Sequence, residues 1–115
     1  MSAGATHLFA GIAVADYAAA RDWYERVFGR GPDLVPHERE AAWQVVEGGW
    51  LYVVADAERA GRALVTVLVS DLDAQLAALA HRGITVGPIE TLTRGPRRAA
   101  IVDPEGNRIT LAQVD

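Results

Sequence analysis

Leu8-Phe9-Ala10-Gly11-Ile12-Ala13-Val14-Ala15-Asp16 is an apolar run that ends in Val-x-Asp. Leu64-Val65-Thr66-Val67-Leu68-Val69-Ser70-Asp71 ends the same way, so that Asp71 repeats Asp16. An apolar run bounded by polar residues and rich in β-branched side chains predicts a buried strand. The aspartate predicts a helix N-cap, because its carboxylate can accept hydrogen bonds from the unpaired amides of a first helical turn. The same strand-to-helix unit is therefore written twice.

The segments after the two aspartates support the pair. Tyr17 to Phe28 places Ala20, Tyr24, Val27 and Phe28 on one helical stripe, and Gly29 can take the left-handed conformation that ends it. After Asp71, Leu72, Leu76 and Leu79 form a matching stripe that Gly83 ends. Arg30 to Pro36 reads as a turn with room for a short strand. Ala41 to Glu47 and Trp50 to Val54 read as a hairpin, with Gly48-Gly49 as the two central residues of a type I′ turn. Asp56 to Arg62 is charged and links the halves. In the second half, Ile84 to Leu92 contains Gly87-Pro88 and predicts a bent or edge strand. Ala99 to Val102 is a strand, Asp103-Pro104-Glu105-Gly106 a turn, and Asn107 to Val114 the closing strand. Gly48 and Gly106 stand in nearly the same relation as Asp16 and Asp71. The reading is one domain over 1–115, an internal duplication with halves at about 6–55 and 63–115. Its class is α+β: a curved, mostly antiparallel sheet with helices on its outer face. The other face must meet a ligand, the other half, or a second chain.

Composition narrows the classes. Half of the residues are hydrophobic, enough for a core in 115 residues. No cysteine is present, which excludes disulfides and thiolate metal sites. A net charge of −4 disfavours binding to a phosphate backbone, so no nucleic-acid partner is expected. No apolar run is long enough to span a bilayer, and no basic–apolar leader opens the chain. The expectation is a cytoplasmic protein without a membrane partner.

Val14-Ala15-Asp16, Trp23-Tyr24 and Phe28-Gly29, together with Asp103-Pro104-Glu105-Gly106-Asn107-Arg108-Ile109, resemble the opening and closing units of the vicinal oxygen chelate superfamily. That superfamily includes glyoxalase I, extradiol dioxygenases, fosfomycin resistance enzymes and bleomycin-binding proteins. The resemblance covers nearly the whole chain. It implies paired βαβββ units around a cleft, usually completed by a homodimer. In metal-dependent members it implies four ligands on the concave strands, at positions that here hold Phe9, Tyr52, Leu64 and Thr110. Phenyl and isobutyl groups cannot coordinate, and a neutral phenol and a hydroxyl are poor partners for cations that prefer imidazole, carboxylate or thiolate. No metal and no cofactor are expected, which places the chain in a metal-less branch.

Strand alternation then assigns faces. His7, Phe9 and Gly11 fall on the cleft side of the first strand, and Leu64, Thr66 and Leu68 on that of its counterpart. A Gly48-Gly49 turn pairs Glu47 with Trp50, Val45 with Tyr52, and Trp43 with Val54, which sends Trp43, Glu47, Trp50 and Tyr52 to the cleft face. The expected ligand-binding set is His7, Phe9, Trp43, Glu47, Trp50, Tyr52, Leu64 and Thr110. Flat rings in that set suit stacking on a planar ligand; core or a dimer contact is the other reading of the same rings, and for a Trp on a strand core is the commoner one. His37, Glu38 and Glu40 form a polar cluster that could hold a base or be an exposed loop. His81, at the end of the second helix, suits the helix dipole. Arg94, Arg97 and Arg98 could clamp a carboxylate or be solvated. Two functions compete. One is a metal-independent small-molecule binding protein of the bleomycin-resistance type, with an apolar or aromatic ligand. The other is a metal-free enzyme (isomerase, lyase or cyclase) that uses His7, Glu47 or an arginine as its titratable group.

Overall fold

The computed structural model describes residues 4–114. β1 (Leu8–Val14) leads into α1 (Tyr17–Phe28), followed by β2 (Leu34–His37), β3 (Glu40–Val46) and β4 (Gly49–Ala55). A single 3-10 turn at Ala57–Arg59 begins the second half. That half runs β5 (Leu64–Leu68), α2 (Leu72–His81), β6 (Glu90–Thr91), β7 (Arg97–Val102) and β8 (Arg108–Gln113). The caps form as read. Asp16 accepts from the Ala19 amide at 3.1 Å and Asp71 from the Ala74 amide at 3.0 Å. Gly29 closes α1 at φ 72°.

Two mixed four-stranded sheets result, in the orders β1-β4-β3-β2 and β5-β8-β7-β6. In each half the first strand pairs parallel with the last, and the remaining pairings are antiparallel. The helical crossover carries the chain to the opposite edge of the sheet in the direction of the first strand, and two antiparallel steps then bring the last strand back beside the first, parallel to it. Together these are the two βαβββ units. Ile12, Val14, Leu51 and Val53 bury their side chains against Tyr24 and Trp23 of α1, while Ile101, Ile109 and Leu111 meet Leu72, Leu76 and Leu79 of α2 in one continuous core.

Three local expectations change. The stretch 84–92 is not a continuous strand: only Glu90–Thr91 pairs, because Pro88 has no amide to donate and the Gly87 amide goes to the Ala100 carbonyl instead. The hairpin turn is Glu47-Gly48, not Gly48-Gly49, since Val46 pairs with Gly49. Gly48 alone has positive φ (75°), whereas type I′ needs it at both central residues. A bulge between Gln44 and Val46 then sets Gln44 opposite Trp50, Trp43 opposite Leu51 and Ala42 opposite Tyr52. Moving a strand by one residue exchanges its faces. Trp43 therefore lies in the core, fully buried, stacked on Phe28 at 5.2 Å with its indole N–H donated to the Arg30 carbonyl. Val46, beside the turn, is exposed.

Candidate functional site

The face of the first sheet turned away from α1 carries an aromatic cluster. Phe9 and Trp50 are neighbours on the parallel β1–β4 pair and stack with ring centres 5.4 Å apart. Tyr52 lies two residues beyond Trp50, its ring 6.5 Å from Phe9. Gly11, opposite Tyr52, makes room for that ring: a Cβ there would come within 2.6 Å of its phenol carbons. Phe9 is 46 % exposed, so the cluster is an open surface rather than core. The Trp50 indole N–H is buried without a hydrogen-bond partner among the described residues.

The second sheet carries the equivalent positions of the repeat. Leu64 and Leu68 project from β5 with 81 % and 61 % exposure. Thr66 pairs with Thr110 and Leu64 with Arg108 on the β5–β8 ladder. A hollow of about 290 Å³ at the seam is lined by Leu8, Ala10 and Trp50 from one half and by Val65, Thr66 and Leu68 from the other. Two further hollows lie against the second sheet. One, of about 180 Å³, is bordered by Glu90, Arg98, Ala100, Arg108 and Thr110; the other, of about 440 Å³, runs from Thr85 to Glu90 and past Arg108.

The sequence-derived set thus divides. Phe9, Trp50 and Tyr52 come together on one sheet face, with Leu64 and Thr110 on the equivalent strands of the other half. Trp43 does not join them. Glu47 sits at the tip of the β3–β4 turn, exposed, and with no hydrogen-bond partner among the described residues; the register change that buried Trp43 removed it from the ladder. His7 is exposed just before β1, its ring 2.8 Å from the Thr6 hydroxyl. His37 and Glu40 meet at 3.3 Å, with Glu38 and His81 exposed elsewhere on the surface.

The three arginines do not converge either. Arg97 binds Asp73 and Arg98 binds Glu90, each at 2.9 Å, and Arg94 is exposed in a turn. Neighbouring strand residues point to opposite faces, so Arg97 and Arg98 cannot grip one anion together. Arg108, which sequence reasoning passed over as part of a turn motif, borders both hollows of the second sheet without an ion-pair partner among the described residues. Its place in the repeat, as the counterpart of Trp50, was the signal that could have found it.

The chemistry of the four positions at which related folds hold a metal does not fit one. Phe9 and Leu64 offer only hydrocarbon, and Tyr52 and Thr110 only neutral hydroxyls. Among the described residues no group of three or more His, Asp or Glu side chains is placed to hold an ion. No helix among them is long and apolar enough to cross a membrane.

Comparison with known proteins bears on the same architecture. No family model and no curated protein matches the sequence. Among solved structures, a glyoxalase/bleomycin resistance protein from Catenulispora acidiphila DSM 44928 is 43 % identical over 95 % of this chain and 98 % of that one, with a TM-score of 0.89. A glyoxalase/bleomycin resistance protein from Streptomyces sp. CB03234 is 25 % identical over 93 % and 99 % of the two chains, at TM-score 0.72. An antibiotic binding protein from the same Streptomyces strain covers 100 % of both chains at 24 % identity and TM-score 0.77, a likeness of fold alone. With the paired βαβββ units in place and 43 % identity to a protein of that kind along almost its whole length, this chain belongs to the glyoxalase/bleomycin resistance protein family of the vicinal oxygen chelate superfamily.

Proposed function

We propose that this protein is a metal-independent small-molecule binder that takes a planar aromatic or apolar ligand against Phe9, Trp50 and Tyr52. The observation that carries this reading is the Phe9–Trp50 stack, with Phe9 half-exposed and Tyr52 beside it, on the sheet face where the resemblance implies coordinating groups at Phe9 and Tyr52. Open aromatic surface is costly in water and suits stacking. Sequestering a ligand requires affinity and no activated group. The alternative, a metal-free enzyme, needs a titratable side chain beside the reacting atom. Its candidates His7 and Glu47 lie exposed at the chain start and at a turn tip.

The reading includes a homodimer. Leu8, Phe9, Leu64 and Leu68 are exposed apolar side chains on β1 and β5 that a second copy would cover. Light scattering that gives one-chain mass throughout the micromolar range removes this part.

The binding test uses Trp50. It is the one tryptophan of three on the cleft face, since Trp23 and Trp43 are core. A planar ligand found by thermal shift should quench its fluorescence. Trp50→Ala should weaken binding about tenfold while melting moves little, as expected for a lost stacking contact. Unchanged affinity combined with a collapsed melting temperature would show that Trp50 is core and end this reading.

A further inference from the structure

The two halves do not close on each other everywhere. Between them lies a hollow of about 410 Å³, walled by Val27 and Phe28 of α1, Val45 of β3, Val67 of β5, Leu79 of α2 and Ile109 of β8. It shares Val45 and Val67 with the seam hollow, but Phe9, Trp50 and Tyr52 are not in its lining. Packed interiors leave few voids larger than a water molecule, and small-molecule pockets measure roughly 300–1,000 Å³. Water held against aliphatic walls is displaced favourably by apolar atoms. The polar side chains of the hollow are Arg30, Gln44, Ser70, Gln75 and Arg82, with no carboxylate among them.

We propose that this hollow is a second ligand site, which takes a small aliphatic carboxylate: the apolar chain lies against the valine and leucine walls, and Arg82 receives the carboxylate. The site stands apart from the aromatic face and does not rest on it. Of the two arginines in the lining, Arg30 is balanced by Asp33 at 2.9 Å. Arg82 has no carboxylate partner among the described residues. Its Nε and one Nη donate to the Arg26 and Val27 carbonyls at the end of α1. A Cβ on Gly29 would come within 3.3 Å of the same guanidinium, so the glycine leaves room for it. Backbone of the first half thus holds the Arg82 head group in place, half-buried, at the edge of the hollow. Two of the five guanidinium N–H groups are used in this way, and the other three have no partner among the described residues. A guanidinium fork matches a carboxylate in two parallel hydrogen bonds, and a fork already fixed loses little freedom in forming them. With Asp33 set against Arg30 and no acid in the lining, Arg82 leaves one positive charge uncompensated there.

The test titrates octanoate and neutral octanamide by calorimetry into the native chain, Arg82→Gln, Ser70→Phe and Arg94→Gln. The native chain should bind octanoate about tenfold more tightly than octanamide. Arg82→Gln should abolish that preference. If that change loosens the contact with α1, Ser70→Phe still decides: Ser70 is exposed at the hollow, and a phenyl ring there should weaken both probes together. Arg94→Gln, in an exposed turn outside the lining, should keep the native affinities. Equal affinity of the two probes for the native chain, failure of both to bind it, or octanoate binding that Ser70→Phe leaves unchanged overturns the proposal and leaves the reading of the aromatic face intact. Octanoate binding that survives both changes at the hollow and falls with Trp50→Ala would place the acid on the aromatic face, against this proposal and in favour of the other. Octanoate that behaves as expected while no planar ligand depends on Trp50 would keep this site and end the reading of that face.

Discussion

The two halves meet at two junctions that the internal repeat makes counterparts. At the first, the closing turn of the second half reaches the corner between β1 and α1. The Glu105 carboxylate accepts from the Ala15 and Asp16 amides at 2.7 and 2.8 Å. Asn107, fully buried, accepts from the Ala63 amide and donates to the Ala13 carbonyl and to Asp103. The Tyr24 hydroxyl donates to Asp103 at 2.9 Å. At the second junction the corresponding residues are Glu47, Gly49, Val45 and Leu79, and the facing corner is Ser70-Asp71. Only the glutamate survives the exchange. Where the first junction has its network, the second has a hollow of about 410 Å³ lined by Val45, Val46, Ser70 and Leu79, among others. One backbone plan thus yields a latched contact and an open one. Buried polar networks hold only when each member is satisfied, so a lone Glu47 with no Asn, Asp or Tyr beside it has nothing to complete.

Four substitutions test that contrast, from the largest effect downward. Asn107→Ala should be the most damaging, at about 3 kcal/mol in urea unfolding. It leaves the Ala63 amide and the Ala13 carbonyl without their side-chain partner and removes one of the donors to the Asp103 carboxylate. A loss under about 1 kcal/mol would mean that the latch contributes little. Glu105→Ala should cost roughly 1–2 kcal/mol, because it removes two charge-assisted hydrogen bonds at a partly exposed corner.

Tyr24→Phe should cost about 1 kcal/mol near neutral pH and should also change the alkaline limb of the stability profile. Burial, reinforced by the Asp103 charge, pushes the Tyr24 phenol far above its ordinary range. Above about pH 10 the unfolded chain then loses a proton that the folded chain keeps, so native stability falls as pH rises, by up to about 1.4 kcal/mol per pH unit. Tyr24→Phe should flatten that fall; an identical alkaline slope in both proteins would contradict it. The smallest effect belongs to the open junction. Glu47→Ala should change stability by no more than about 0.5 kcal/mol, as for other exposed, unpartnered sites. Matched losses for Glu47→Ala and Glu105→Ala would show that the two junctions close alike in solution.

Much of the architecture was already written in the chain. The paired Val-x-Asp endings, both helices with their caps, and the repeat spacing rest on contacts between residues close in sequence, where periodicity and capping chemistry suffice. Phe9, Leu64 and Thr110 could be placed for a related reason: each lies within a few residues of a marker, Val-x-Asp or the closing turn, that sets the strand phase. The β3–β4 hairpin carried no such marker. Its two adjacent glycines permit either of two turns one residue apart, and local sequence does not distinguish them. Tertiary packing chose, because only the observed register buries the large Trp43 ring on Phe28 beneath α1 while Trp50 stays with Phe9. Tertiary structure also decided which arginines are satisfied. An ion pair between Arg97 and Asp73, 24 residues apart, depends on how α2 lies against β7, as does the freedom left to Arg108. The difference between the junctions is of the same kind: the side chains that close one and leave the other open come from opposite halves, and their partnership exists only once those halves have packed.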